Sequence, residues 1–510
     1  MPKWTIILII LLVAAVFRFA HLDSFPPGLY PDEAMNGNNA LQALDTGDYK
    51  VFYPENNGRE GLFINLQAMS VAVFENHAWA LRIVSAIFGM FTVLGLYLLA
   101  QRLFNWQIAT LSSYLMAIAF WHVNFSRIGF RAIMAPFLLV WGMYFLWRGL
   151  SSSRLRDFAI SGIFWGLGFY TYIAFRVMPL MLLLTLWGYW YATKKDFGHA
   201  KYEFARTQLL RGLSLFFIAA VLVALPLGFY FWTHQADFLG RTGQLSIFAS
   251  SEPLKSLALN TVKSFGIFNF AGDWNWRHNF GGQPILLWPV GIFFILGFFR
   301  SWIKLFKTRK SHGHFSTVHL MLLSWFFIGM LPTVLSNEGL PHALRTLIVA
   351  PVVFIWAGEG LWWIMDKIGD FYHARDTHEY RFQYGWLRES AFFAVLAVVV
   401  LLVSLTIAEY DKYFNKWGRN LNTAAHFNQN YVKIGEQLNA MSKDIKKYVL
   451  VNAGGVLVND IPMPAQTVMY LTDTYTPEKQ KEKNIYYLTE EQYKGGRYDR
   501  NSVVIPLEDF

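Results

Sequence analysis

Apolar runs of membrane-crossing length recur along the chain, at about 4–20, 79–100, 108–125, 133–149, 158–173, 177–193, 212–231, 284–302, 317–335, 343–365 and 391–408. A transmembrane helix needs about 20 mostly apolar residues, so the pattern predicts about eleven spans. The connectors alternate in character. Those at Arg148 to Arg156, Lys194 to Arg211, Arg300 to Lys310 and Lys367 to Arg388 are basic, and basic loops stay on the cytoplasmic side. The stretch 158–193 lies between two basic connectors, so it must cross an even number of times. Its turn is expected at Thr171 to Arg176.

That parity puts the N-terminus inside and the C-terminus outside. It also collects four polar segments on the outer face: a first loop of about 21–78, the turn Asn124 to Ala132, a loop of about 232–283, and Ser336 to Arg345. Within the first loop, 32–44 has helical character and Leu62 to Phe74 is apolar and amphipathic; 252–267 is similar. These read as helices lying on the membrane surface. Beyond Ala408 the pattern turns polar, with short strands expected at Tyr448 to Asn452, Ile485 to Leu488 and Ser502 to Pro506, and a helix at about 424–442. The expected organisation is an all-α polytopic domain over 1–408, followed by a small extracytoplasmic α/β domain over 409–510.

Composition agrees. Hydrophobic residues make up 54% and charged residues only 15% of the 510 positions, against roughly 25% charged in soluble proteins. A net charge of +10 in such a chain reflects the inward bias of loop charge before any affinity for nucleic acid. The lack of cysteine excludes disulfides, thiolate metal sites and thiol catalysis. The N-terminal apolar run has no small-residue cleavage signal and reads as a retained anchor.

Candidate chemistry gathers on the outer face. Asp32 and Glu33 follow the first span, where carboxylates are costly unless solvated or paired. Pro31-Asp32-Glu33 also suits the first turn of a helix, whose dipole favours acids. Arginines stand on this face despite the inward bias: Arg59, Arg127, Arg131, Arg176, Arg241, Arg277 and Arg345. One alone is an ordinary snorkelling side chain; several beside two carboxylates suit an anionic, phosphate-bearing ligand. Any of them could instead pair with Glu60, Asp273 or Glu338. Trp274, Trp276, Tyr170 and Tyr172 are candidate sugar-stacking rings or members of an interface belt. Asp32, Glu338, His278 and His342 could converge on a metal, but no tight His/carboxylate spacing supports one, and no cofactor is expected.

Several segments carry a family resemblance. Leu29-Tyr-Pro-Asp-Glu-Ala34, Gly47-Asp-Tyr49, Gly58-Arg-Glu-Gly-Leu62, Ala80-Leu-Arg82 and Tyr97 to Phe104 resemble the N-terminal signature of integral-membrane GT-C glycosyltransferases. The branch is family 39-like, related to protein O-mannosyltransferases and the lipid A aminoarabinose transferase. His122 to Arg131, Gly168 to Tyr172, Gly272 to Asn279 and Pro341 to Arg345 resemble a bacterial subgroup. The family often has Lys-Pro-Pro-Leu where this chain has Arg59-Glu-Gly-Leu62. The resemblance implies a GT-C fold and inverting transfer of one sugar, mannose-like or pentose, from a polyprenyl-phosphate donor. The acceptor is a hydroxyl on a lipid, glycan or protein outside the plasma membrane. It places the catalytic base on Asp32 with Glu33 beside it. Donor contacts would come from Arg59, Glu60, Arg131, Tyr172, Arg176, Asp273, Trp276, Arg277, His278, Glu338, His342 and Arg345.

No Gly-rich phosphate loop or nucleotide-binding domain is evident, so neither a nucleotide sugar nor nucleic acid is expected as a partner. A flippase for lipid-linked sugars would share many spans and buried arginines, but transporters usually show internal repeats and midplane polar sites. A bundle serving only to anchor the tail would not need eleven spans. The topology has a direct test: single cysteines at Asn56 and Gln480 should react with an impermeant maleimide in intact cells, and one at Ser311 should not. Labelling at Ser311 alone would invert the arrangement.

Overall fold

The computed structural model describes residues 3–196, 199–238, 247, 252–308, 313–337, 339–374, 386–499 and 501–508. Ser311, Arg241 and Glu338 lie outside the described residues. Sixteen described helices precede the tail: α1 (Lys3–Phe19), α2 (Pro31–Thr46), α3 (Gly61–Phe74), α4 (Ala78–Leu103), α5 (Trp106–Ile118), α6 (Phe120–Phe125), α7 (Met134–Ser152), α8 (Leu155–Gly168), α9 (Met178–Asp196), α10 (His199–Thr233), α11 (Pro253–Gly266), α12 (Trp288–Thr308), α13 (Gly313–Val334), α14 (Ala343–Thr346), α15 (Ala350–Ala374) and α16 (Trp386–Tyr410).

A helix occupies each of the eleven expected stretches. Among the described residues, seven segments are long and apolar enough to cross a membrane. Two of the expected spans are shorter than predicted, α5 with 13 residues and α8 with 14, while α1 has the expected 17. The 108–125 stretch is broken at Ala119, whose ψ of 125° is extended. A break in an apolar stretch frees backbone groups that hydrocarbon cannot satisfy. Here charged side chains do so. Arg18 donates to the Ala117 carbonyl at 2.8 Å, and Glu409 accepts from the Phe120 N–H at 3.2 Å. Sequence periodicity sees only the apolar run, not its remote partners.

The first polar loop folds as three linked pieces. Pro31 opens α2, with Asp32 and Glu33 in its first turn, and Gly47 closes it in the left-handed region at φ 74°. A hairpin follows, β1 (Phe52–Tyr53) against β2 (Arg59–Glu60), with Phe52 opposite Glu60. Its turn passes through Asn56, Asn57 and Gly58, all at positive φ. A Cβ on Gly58 would lie 2.5 Å from the Phe52 ring, so the turn admits no side chain there. Then α3 leads into α4. The expected surface helices at 32–44, Leu62 to Phe74 and 252–267 correspond to α2, α3 and α11.

The tail begins with a π-helical turn at Asp411–Trp417, which buries Tyr413, Phe414 and Trp417. Helices α17 (Leu421–His426) and α18 (Gln429–Ala440) follow, split by Asn428 at φ 53° where one helix was expected. Strands β3 (Lys447–Val451), β6 (Ile485–Thr489) and β7 (Val503–Pro506) form a parallel sheet with β3 in the centre. Between them lie the pair β4 (Leu457–Val458) and β5 (Ile461–Pro462), and helices α19 (Gln466–Thr472), α20 (Pro477–Lys483) and α21 (Glu490–Lys494). This unit sits on α2. Asn38 donates to Gln466 Oε1 at 2.8 Å, Thr467 to the Leu29 carbonyl at 2.9 Å, and Tyr470 to the His77 carbonyl at 3.1 Å. The Tyr470 ring lies so close to Gly37 that a Cβ there would come within 2.5 Å of it.

One buried ion pair joins the loop to the bundle. Glu33 and Arg82 are both fully buried; Arg82 Nε and Nη2 reach the carboxylate at 3.0 and 3.2 Å. The same carboxylate accepts from the Gly129 N–H at 2.7 Å, while Arg82 also donates to the Pro26 and Gly28 carbonyls, each at 2.7 Å. Removing one partner of such a pair strands the other charge and costs about 3–5 kcal/mol. Glu33→Ala should therefore lower the thermal midpoint in detergent markedly, and Glu33→Gln by less, since the amide oxygen still accepts from Gly129. An unchanged midpoint for the alanine variant would rule the clamp out.

Candidate active site

All four expected polar segments meet at one cavity of about 850 Å³, with the C-terminal unit forming a further wall. Asp32 is half-buried and lines it, its Oδ1 accepting from Asn56 at 2.7 Å. Glu33, one position on, turns the opposite way into the Arg82 clamp and does not line the cavity. Successive helical residues point about 100° apart, so the neighbouring acids of the first turn cannot both face the same space.

Arg59, Arg131, Arg277 and Arg345 all line the cavity. Each is held differently. Arg59 donates to two neutral amides, Asn36 Oδ1 at 2.8 Å and Asn39 Oδ1 at 2.5 Å, with the Glu55 carboxylate 3.9 Å away. Burial, and then the nearby Arg131 charge, bring the Arg59 guanidinium down to about 10, which leaves it protonated at neutral pH. Arg131 is paired: its Nε lies 2.7 Å from Glu60 Oε2, and its guanidinium sits over the Tyr172 ring at 5.8 Å. Arg277 stacks on Tyr30 at 3.8 Å. Arg345 donates to the Ser336 hydroxyl.

Other predicted residues form the layer behind. Glu60 is buried and holds Arg131, with Arg176 3.9 Å from its other oxygen. Arg176 itself donates to the Phe238 carbonyl at 3.0 Å and lies over that ring. Asp273 is buried; it accepts from the backbone N–H groups of Asn275 and Ala343 at 2.8 and 2.9 Å, and its Oδ2 lies 3.2 Å from His278 Nδ1. His278 and His342 line the cavity with their rings stacked at 4.9 Å. Burial lowers the His278 pKa below its ordinary value.

Of the candidate aromatics, Tyr172 alone lines the cavity. Trp276 packs on Phe280 and Gly281, Trp274 is exposed, and Tyr170 donates to the Val223 carbonyl of α10 at 2.8 Å. Arg127 donates to the Phe17, His21 and Phe25 carbonyls and lies against Tyr413 and Phe414. Its charge closes backbone groups and does not reach the cavity.

Residues 62–227 match the family model for dolichyl-phosphate-mannose-protein mannosyltransferase. The fold is similar to that of ArnT from Cupriavidus metallidurans bound to undecaprenyl phosphate: TM-score 0.54, 14% identity, covering 99% of this chain and 90% of that one. The chain has the GT-C fold. It is also similar to the apo oligosaccharyltransferase of Archaeoglobus fulgidus, at TM-score 0.55 and 12% identity over 95% of this chain. The chain spans 64% of the length of that archaeal protein. A complex of the Archaeoglobus fulgidus oligosaccharyltransferase AglB with an inhibitory peptide and a dolichol-phosphate gives TM-score 0.55 and 13% identity, covering 96% and 70% of the two chains. No curated protein sequence matches the chain.

Some residues that line the cavity or hold its arginines escaped the sequence reading of this GT-C chain. Asn36 and Asn39 stand four and seven positions after Asp32 on α2, a spacing that puts all three on one helix face. That signal was available. Asn56, the hydrogen-bond partner of Asp32, sits in a hairpin turn whose geometry no local pattern specifies. The wall from the C-terminal unit, including His426, Tyr431, Gly454 and Gly455, depends on docking and leaves no local trace.

Proposed function

We propose that this multi-pass membrane protein is a glycosyltransferase that moves one sugar from a polyprenyl-phosphate donor to an acceptor hydroxyl. The observation that carries the reading is one half-buried carboxylate, Asp32, facing a cavity lined by four arginines. The ligands named for the ArnT and AglB structures, undecaprenyl phosphate and a dolichol-phosphate, support a lipid-phosphate donor. In this reading the sugar is mannose-like or a pentose, and the acceptor is a lipid, glycan or protein. The cavity opens on the extracytoplasmic side of the plasma membrane.

Asp32 accepts the proton of the acceptor hydroxyl as its oxygen attacks the anomeric carbon from the face opposite the phosphate. The bond between the anomeric carbon and the phosphate oxygen breaks, its electron pair leaves with the lipid phosphate, and the configuration inverts. Asn56 fixes the Asp32 carboxylate through Oδ1, leaving Oδ2 for the acceptor. The departing phosphate gains charge, so preplaced guanidinium groups stabilise the transition state more than the bound donor. Arg59 and Arg345 suit this role: both line the cavity with Asp32, and Arg59 is anchored by the Asn36 and Asn39 amides, whereas Arg131 is held 2.7 Å from Glu60.

Loss of a general base commonly costs about 10²–10⁴-fold in rate. Asp32→Asn should lose transfer on that scale while folding normally, measured with purified protein and a panel of radiolabelled polyprenyl-phosphate sugars. Near wild-type turnover would remove Asp32 from the role. Alanine at both Arg59 and Arg345 should weaken binding of the polyprenyl-phosphate product as well as turnover. Arg345→Lys should also lose activity, because the ammonium keeps the charge and loses the planar fork. Unchanged product affinity in a well-folded double variant would place the phosphate elsewhere.

A further inference from the structure

We propose that Asp273, His278 and His342 form a binding site for a divalent transition-metal ion of the zinc type. The three residues come from two loops distant in sequence, one following α11 and one preceding α14, so no local spacing announces them. Their ligating atoms lie within 4.8 Å of one another. Asp273 Oδ2 is 3.2 Å from His278 Nδ1 and 3.9 Å from His342 Nδ1. Ligands about 2.05 Å from a tetrahedral ion stand about 3.3 Å apart, and the two measured separations bracket that value closely enough for small side-chain rotations to complete it.

The trio is supported from behind. The Ala343 and Asn275 N–H groups hold the two oxygens of Asp273, and the His278 ring packs on Phe125 at 5.7 Å. Fixing a ligand's orientation by such outer contacts is what makes a coordinating set effective. Two imidazoles and one carboxylate leave a fourth position open. Both imidazoles line the cavity, so that position is accessible to water or to an anionic oxygen.

The charge around the trio selects the kind of ion. Arg277 and Arg345 both act on His278 as nearby positive charges, and they oppose any cation held by charge alone. A hard ion such as Mg²⁺, which prefers oxygen ligands and keeps its waters, gains little here. An ion that bonds well to imidazole nitrogen gains enough from coordination to overcome the repulsion.

The test uses the full-length protein in detergent, purified without a polyhistidine tag, stripped with chelator and titrated with Co²⁺. One equivalent should bind, with the visible absorption of a low-coordinate nitrogen/oxygen site, and Zn²⁺ should displace it while Mg²⁺ in excess does not. His342→Gln and Asp273→Asn should each weaken binding by at least about tenfold. Because His342 is only partly buried, its variant is the one expected to keep the fold, as checked by size exclusion. Absence of stoichiometric binding, or binding that survives His342→Gln, would leave the trio a hydrogen-bonded Asp–His pair. Displacement by Mg²⁺ would overturn the choice of ion. The readout is the metal alone, so it stands or falls independently of sugar transfer.

Discussion

A single carboxylate that never reaches the cavity organises the whole of it. Glu33 is out of contact with water, and only the Arg82 guanidinium and the Gly129 N–H make that burial tolerable. Those partners come from α4 and from the turn before α7, while Arg82 also ties down the carbonyls of Pro26 and Gly28. One network therefore fixes the start of α2, the entry to the loop and the turn that carries Arg131. The direction in which Asp32 points is a consequence of where its neighbour is held.

Two adjacent acids thus divide two tasks by helix geometry alone. The buried one orients the element; the other, half-solvated and held by a neutral amide, faces the arginines. A similar division runs through the basic residues. Arg18, Arg82 and Arg127 spend their charge on backbone carbonyls or on Glu33, while Arg59, Arg277 and Arg345 line the cavity. Composition shows an excess of arginine near one face. It cannot separate those that close the fold from those that line a cavity.

Much of the architecture was legible because hydrophobic runs and charged connectors are local signals. The parity argument over 158–193 identified the turn at Ile173–Val177 and, through it, the four segments that meet at the cavity. What escaped was set by partners remote in sequence. Ala119 interrupts a helix because Arg18 and Glu409 satisfy the exposed ends. Trp274 and Tyr170 read as plausible sugar platforms by residue type, yet one is exposed and the other bonds within the bundle. The Asp273, His278 and His342 cluster is not legible locally, because the Asp273–His278 pair meets His342 only when two loops pack together.

The cavity is enclosed at one side by Tyr30 and Asp32 and at another by Glu508, so segments distant in sequence share one space. A ribosome delivers these segments in order. The helix carrying Asp32 emerges early, and the wall that completes the enclosure emerges later and must then seat Tyr470 against Gly37 on α2. Until that wall is seated, one side of the cavity is unmade. Closure of the cavity thus waits on a segment made long after the helix that carries Asp32.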